Sequence, residues 1–317
     1  MALNCTVLTS GYSATAGTVF TTASISPAAN ALIEIEILGG DGGSDARVPD
    51  SVTGASLTFD NVVGVLNDGT YNYLNKRRAM SASPGSGVVT ITFPIVHEAC
   101  GWIIKEWTGV DTSGTNGSGA IVQSASNFQN TPLVTTGSVT LAGFGSADNA
   151  VSACFSVNKI GAITNEAGYT ELADFEIVGW DTRLQSEWKI GEDTSPSCTW
   201  DVAGKYGGLA VEIKAGGRVL DANITQADNT LAATLTTGRV LNASMMQDGN
   251  TLAAIMVVGR LLNANMTQDA NTLAATLIGP SYLSATFNQD NNTLSADIFS
   301  RQPPRVTRRP MFWVLNR

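Results

Sequence analysis

The 317-residue sequence contains a single histidine, four widely spaced cysteines and only 14% charged residues. One histidine leaves no set of imidazole ligands for zinc or copper, and no CxxC pair is present, so we expect reduced core thiols and neither metal nor cofactor. A globular chain normally carries about a quarter charged residues. Gly, Ser, Thr, Asn and Ala take their place, which is typical of short β-strands and turns.

Long apolar runs are also missing. No stretch approaches the roughly 18 consecutive apolar residues of a membrane span, and Met1–Thr6 lacks the basic flank and apolar core of a signal peptide. We therefore expect a protein made in the cytoplasm without Sec-dependent secretion and without a membrane partner. The net charge of −9 opposes binding to nucleic acid, and the length suggests about two domains.

An internal repeat is the clearest positive signal. The triplet Asn-Thr-Leu recurs with an unbroken period of 21 residues. Its four copies are Asn229–Leu231, Asn250–Leu252, Asn271–Leu273 and Asn292–Leu294. Apolar residues alternate with polar ones before and after the triplet, as in Leu220, Ala222 and Ile224, which is the period of a strand. Turns such as Ala227–Asn229 suit a residue with positive φ. The sequence therefore predicts four antiparallel β-hairpins over residues 217–300.

A hairpin with one apolar face cannot bury that face alone. The eight strands are therefore expected either to fold back as one compact antiparallel sandwich, or to form a stalk in which three chains share an axis. Both arrangements remain open at this point. A homo-oligomer is expected, and the stalk favours a trimer.

Residues 1–216 have a different pattern. Short alternating or apolar runs are separated by turn clusters such as Gly39–Ser44 and Ser83–Gly87, and no segment of 12 residues has a helical period. About ten strands at this spacing predict an all-β domain, a two-sheet sandwich of the jelly-roll type.

Several motifs resemble proteins of tailed-bacteriophage and prophage virions. The run Cys100–Asp111, the strand Ala120–Ser124, Trp200 and the closing Gly207–Ile213 are similar to a β-sandwich domain of such proteins, and the Asn-Thr-Leu repeats are similar to repeats attached to them. The resemblance implies a non-enzymatic structural component of a phage-like particle: a head or tail accessory, fibre or decoration protein. It also implies a virion location, synthesis in a bacterial host and partners among capsid or tail proteins.

Enzymatic readings have little support. A glycosidase needs two carboxylates about 5 to 10 Å apart, and the sequence cannot pair the acidic residues found on or beside strands. Those residues are Glu106, Asp111, Glu176, Glu187 and Glu212. His97 has no nearby GxSxG motif. We predict no catalytic residues, and a polysaccharide depolymerase is the third hypothesis.

The second hypothesis is a glycan-binding adhesin or receptor-binding module. An exposed indole offers a flat apolar face with a polar rim for stacking against a sugar. Among the tryptophans, Trp180 and Trp188, with Asp181 beside them, are the candidate site for a host-surface glycan. The competing interpretation is that these indoles belong to the core.

Residues 301–317 form a basic tail with five arginines and no acidic residue. Its prolines keep it extended, so we expect a separate segment that anchors the chain in an acidic, pocketed partner surface. Arg and Trp are favoured in such contacts. The candidate anchoring residues are Arg305, Arg308, Arg309, Phe312 and Trp313. The alternative is that the tail docks on the chain's own acidic body.

Overall fold

A computed structural model gives the fold. It describes residues 3–40, 46–67, 71–159 and 161–216, together with the backbone of eight strands between 219 and 299. The chain divides into two units, Met1–Gly216 and Gly217–Arg317. Strands dominate the described residues, and their one helical element is a 3-10 turn at Ser118–Ala120. The predicted all-β class is confirmed. The tail, with Arg305, Arg308, Arg309, Phe312 and Trp313, and the predicted repeat turns lie outside the described residues.

The first half of unit 1 contains nine strands in two antiparallel sheets. They are β1 (Asn4–Ser13), β2 (Gly17–Thr21), β3 (Leu32–Gly40), β4 (Ser51–Gly54), β5 (Leu57–Thr58), β6 (Asp60–Asn67), β7 (Asn72–Ala79), β8 (Val89–His97) and β9 (Ala99–Thr108). One sheet has the order β1-β9-β3-β7-β6 and the other β2-β8-β4-β5. A core of isoleucines from β3 and aromatic residues from β2 and β8 fills the space between them.

The second half follows the same strand order. Its strands are β10 (Ile121–Ser138), β11 (Ala150–Val157), β12 (Ile163–Asn165), β13 (Thr170–Ile177), β14 (Thr182–Ile190) and β15 (Ser197–Ile213). They form the sheet β10-β15-β11-β14-β13, with β12 paired to β15. In this order the long β10 corresponds to β1 and β2 of the first half, and the long β15 corresponds to β8 and β9. Register shifts between Gln129 and Val134 divide the β10–β15 pair into two sections.

Two further clusters of buried apolar residues join the halves. One contains Leu32 and Trp107 of the first half with Val211 and Ile213 of the second, and the other is built in the same way near Leu38 and Leu184. As a result β3 and β11 are buried along their whole length. The expectation of one two-sheet sandwich therefore needs correction, because unit 1 has three sheets and its two halves pack against each other. Alternation within a strand does not reveal that both faces are covered.

In unit 2 the predicted strands are present but the predicted hairpins are wrong. The strands are β16 (Val219–Ile224), β17 (Thr230–Leu235), β18 (Val240–Met246), β19 (Thr251–Met256), β20 (Leu261–Thr267), β21 (Thr272–Ile278), β22 (Tyr282–Phe287) and β23 (Thr293–Phe299). The first strands of the repeats form one parallel sheet, β16-β18-β20-β22, and the second strands form another, β17-β19-β21-β23. Each strand therefore pairs with its counterpart in the next repeat, and not with its neighbour in sequence.

The reason is the length of the repeat. Leu220 pairs with Leu241, and Leu241 with Leu262, so the register advances by one full period and like residues align. Parallel strands need a connection of a dozen or more residues. In each repeat the stretch between two paired strands includes a strand of the other sheet and is long enough for that connection. The eight strands between 219 and 299 thus follow the topology of a parallel β-solenoid in which each repeat is one coil, and the predicted antiparallel pairing is wrong.

Candidate functional site

Four of the fully buried charged side chains of unit 1 lie together. Glu34 and Glu36 lie on β3, Lys76 on β7 and Lys105 on β9, all with 0% exposure. Ile33, Ile35 and Ile37 on the same strand belong to the core of the first half, so the pleat directs the two glutamates to the opposite face, towards the second half. The register places Glu36 beside Lys76 and Glu34 beside Lys105. These are cross-strand pairs of opposite charge.

The four groups form one charge-balanced cluster. Lys105 Nζ lies 2.5 Å from Glu36 Oε1 and 3.6 Å from Glu34 Oε2. Lys76 Nζ lies 3.1 Å from Glu36 Oε1 and 3.7 Å from Glu34 Oε1. Each ammonium therefore contacts both carboxylates, and the cluster carries two positive and two negative charges.

Side chains of the second half complete the cluster. Lys76 Nζ donates to Ser152 Oγ at 2.8 Å, and this hydroxyl donates to Glu34 Oε2 at 3.0 Å. Lys105 Nζ donates to Ser186 Oγ at 2.9 Å. Ser152 lies on β11 and Ser186 on β14, so both lysines are bound from across the contact between the halves. We call the four charged residues with these two serines the junction cluster.

The cluster favours the charged forms of Glu36 and Lys105. Burial by itself raises the pKa of the Glu36 carboxyl, but Lys105 and Lys76 outweigh burial, so that pKa is lowered. Burial by itself lowers the pKa of the Lys105 ammonium, and Glu36 and Glu34 reverse this and raise it. A buried ion pair adds little net stability over an apolar pair, but losing one partner leaves a buried charge that costs about 3–5 kcal/mol. Loss of one partner of the junction cluster is therefore expected to destabilise the contact between the halves.

Another buried carboxyl, that of Glu187, is on the face of β14 opposite to Ser186. Burial raises the pKa of Glu187 to about 8, and the negative charges of Glu166 and Glu171 act in the same direction. The hydrogen bond that Gln185 Nε2 donates to Glu187 Oε2 at 3.1 Å lowers this pKa but does not outweigh burial. Among the described residues, no hydrogen-bond donor reaches Glu187 Oε1. Glu187 is therefore neutral over much of the physiological range, unlike Glu36.

The structure does not bring the candidate glycan residues together. Trp180 is in the turn before β14, with its ring where a side chain on Gly40 would be. Trp188 lies on β14 and meets Trp107 edge to face at 5.3 Å. The extended stretch from Thr182 to Trp188 alone spans about 20 Å. Each indole packs into a different cluster between the halves.

Asp181 is the exposed member of the predicted glycan set. Its carboxylate lies 3.8 Å from Lys159 Nζ. Its φ is +49°, and that of Gly179 is +89°, so both residues serve the turn between β13 and β14. Asp181 is therefore an exposed polar residue in this turn, whereas the indoles of Trp180 and Trp188, which were predicted to stack against a sugar, pack towards the first half.

The other candidate carboxylates have separate local partners. Glu106 accepts from the Ala28 amide at 2.5 Å, Asp111 pairs with Lys214 at 2.7 Å, and Glu212 accepts from Gln123 and Asn149. Glu176 is half-buried on β13. His97 is buried and stacks on Phe93 with ring centroids 3.9 Å apart. Each of these hydrogen bonds and pairs joins neighbouring segments of the fold.

Sequence reasoning missed the junction cluster. Its signal was present: glutamate alternates with isoleucine in β3, and the face of β9 that carries Lys105 is otherwise apolar, with Ile103 and Trp107. An alternating strand with charged residues ordinarily has a solvated side. Only the second half, far along the chain, turns this side into a buried one.

Within the described ranges, no group of three His, Cys, Asp or Glu residues is arranged to hold a metal ion. No helix in the same ranges is long and apolar enough to cross a membrane. All four cysteines are buried and unpaired, and burial raises the pKa of the Cys5, Cys100 and Cys154 thiols. No protein-family model matches the chain, and the comparison with curated proteins gives no match.

Proposed function

We propose that the chain is a non-enzymatic structural component of a phage-like particle, attached through its C-terminal region. The observation that carries this proposal is the use of the buried polar groups of unit 1. The two ammonium groups and two carboxylates of the junction cluster bind one another between the two sandwich halves. They are fully buried there, so a substrate has no access to them. Such a use favours a rigid part of an assembly over a catalyst.

The solenoid supports the same proposal. Four coils with constant register give an extensible module, since each coil contacts only its neighbours and their interfaces add along the axis. A module of this kind suits a spacer between a particle and an outward-facing domain. The resemblance to tailed-phage virion proteins adds the class of particle, and the virion is then the location.

We also infer that each half of unit 1 is a jelly roll. From β1 to β4 consecutive strands alternate between two facing antiparallel sheets, and β8 and β9 do so again. Such alternation is expected of interleaved Greek keys. The second half supports the inference because β10 and β15 each continue from one section of the sheet to the other.

The partners in this proposal are capsid or tail proteins and further copies of the chain. The expectation of a trimer depended on hairpins that needed other chains to cover them. Parallel coils give every repeat a neighbour within the same chain. A trimer stays a prediction, and the surface of unit 1 offers a separate route to self-association.

The test is incorporation into particles. A tagged full-length chain and a variant without residues 301–317 are expressed during particle assembly, and the amount in purified particles is measured by immunoblot. We expect the full chain in the particles and at least a tenfold loss for the truncated one. A matched variant, Arg305→Gln with Arg308→Gln and Arg309→Gln, separates loss of charge from loss of length.

Absence of the full chain from purified particles would contradict the proposal. Equal incorporation of both forms would contradict only the attachment through the tail. A glycan array with the full chain, Trp180→Ala and Trp188→Ala covers the alternatives: specific binding that these substitutions abolish would favour an adhesin, and turnover of a bound polysaccharide would favour a depolymerase.

A further inference from the structure

Strand β10 is a long edge strand of the six-stranded sheet. The two edges of this sheet are β10 and β13. Among the strands of the described residues, β10 pairs only with β15. Along its other side, its backbone N–H and C=O groups have no strand partner in the part of the chain that the structure describes, and an edge of this kind is a template for pairing with another chain.

This edge lacks the usual protection. Proteins guard exposed edges with charged residues, proline or bulges. The sequence has no charged residue from Thr112 to Ala147, a run that contains the whole of β10. The one proline, Pro132, lies where pairing with β15 is interrupted, whereas pairing is continuous from Gln123 to Gln129. Val122 and Phe128 are 47% and 50% exposed.

The opposite edge provides an internal comparison. Strand β13 carries Glu171, Asp174 and Glu176, and β1, the uncharged edge strand of the first half, packs beside it with Tyr12 stacked on Phe175. An approaching copy of this acidic chain would meet these carboxylates. At the β10 edge, by contrast, the strand of the first half that packs nearby is β6. It has a single charged residue, Asp60, at its start.

We propose that β10 is a self-association edge, through which two copies of the chain pair antiparallel over Gln123–Gln129 and join their six-stranded sheets. The partner that pairs with this edge is a second copy of the chain, because two neutral β10 strands can pair with each other. A chain with net charge −9 repels its copy over most of its surface. A two-fold antiparallel contact between neutral strands brings no like charges together. Ser124, Ala125 and Ser126 in its centre are small enough for close approach.

This inference uses only contacts within unit 1 and is independent of the proposed particle. The first test is light scattering on the purified full chain over a range of concentrations. We expect a dimer. Ser124→Lys with Ser126→Lys places four ammonium groups at the contact and should raise the dissociation constant at least about tenfold. Both serines are exposed, so the fold of each copy is retained. Thr170→Lys, exposed on β13, is the matched control and should leave the dimer intact.

The second test locates the contact directly. Because all four native cysteines are buried, an introduced Ser126→Cys supplies a single exposed thiol. Under mild oxidation it should link two chains near the two-fold axis, while Thr170→Cys should stay unlinked. A monomer at every concentration would overturn the proposal. So would a dimer or trimer that is unaffected by the lysine pair and is not linked through residue 126, since another surface would then hold the copies together.

Discussion

Unit 1 and the solenoid solve the same problem, the burial of strands, in opposite ways. In unit 1 antiparallel strands from distant parts of the chain pair residues of different kinds, and the junction cluster joins Glu34 of the first half to Ser152 of the second. In the solenoid parallel strands pair like with like, as Leu241 with Leu262. The first arrangement depends on particular side chains, and the second depends on a constant period.

This difference predicts different weaknesses. Unit 1 should be sensitive to single substitutions at its junction and indifferent to the lengths of its surface loops. The solenoid should tolerate loss of a whole repeat but not loss of part of one, because a partial deletion leaves a neighbouring strand without a partner in register.

The largest effect is expected from deletions in the solenoid. Removal of residues 240–260 takes out one whole period, so β16 can pair with β20 and β17 with β21. Removal of residues 240–249 takes out β18 alone, so β16 has no parallel partner in register, whereas the last two repeats keep their pairing. We expect the first variant to keep its β-sheet signal per residue in circular dichroism, and the second to lose the part of the signal that comes from the first two repeats. Equal behaviour of the two variants would argue against parallel coils.

The next effect tests the junction cluster. Lys105→Met leaves two buried carboxylates with one buried ammonium and should lower the free energy of unfolding of unit 1 by about 3–5 kcal/mol. Denaturant unfolding followed by tryptophan fluorescence reports this unit, since five of the six tryptophans lie before residue 217.

Lys159→Met is the matched control for Lys105→Met, because its ion pair with Asp181 is exposed. It should change the free energy of unfolding by about 1 kcal/mol or less. The double variant Glu36→Gln with Lys105→Met restores neutrality and should recover part of the loss. If Lys105→Met and Lys159→Met lowered stability equally, the cluster would not be the junction that the distances indicate.

The same contrast explains what the sequence could predict. The repeat and the positions of its strands were accessible because alternation and period are local properties. The pairing was not, because an Asp-x-Asn turn between two alternating strands suits a hairpin as well as the corner of a coil. The run from Leu252 to Met256 has the same pattern in either case. The register between repeats distinguishes a hairpin from a coil, and this register depends on several repeats together.

In unit 1 the strands and the all-β class followed from composition and turns, but the stacking of two halves did not. Trp180 and Trp188 illustrate why. Aromatic residues on strands suit an exposed platform as well as a buried contact, and only the partner surface distinguishes the two. Their contacts with Gly40 and Trp107 connect residues more than 80 positions apart, beyond the reach of any local pattern.

The last prediction concerns the pH dependence of unit 1 and separates its two kinds of buried carboxyl. Glu187 has its pKa raised to about 8 in the folded chain from an ordinary value near 4.5. The folded state therefore binds more protons than the unfolded state between these values, and stability should fall as pH rises through this window. The slope is at most about 1.4 kcal/mol per pH unit. Glu187→Gln should flatten the curve, whereas Glu98→Gln, at an exposed position, should leave it unchanged.

Glu36 has its pKa lowered, so its contribution is present above its unfolded pKa and is lost only towards acid. An unfolding free energy that rose between pH 5 and 8 in the native chain and in Glu187→Gln alike would show that Glu187 is ionised in the fold, and that the two carboxyls are not different in kind.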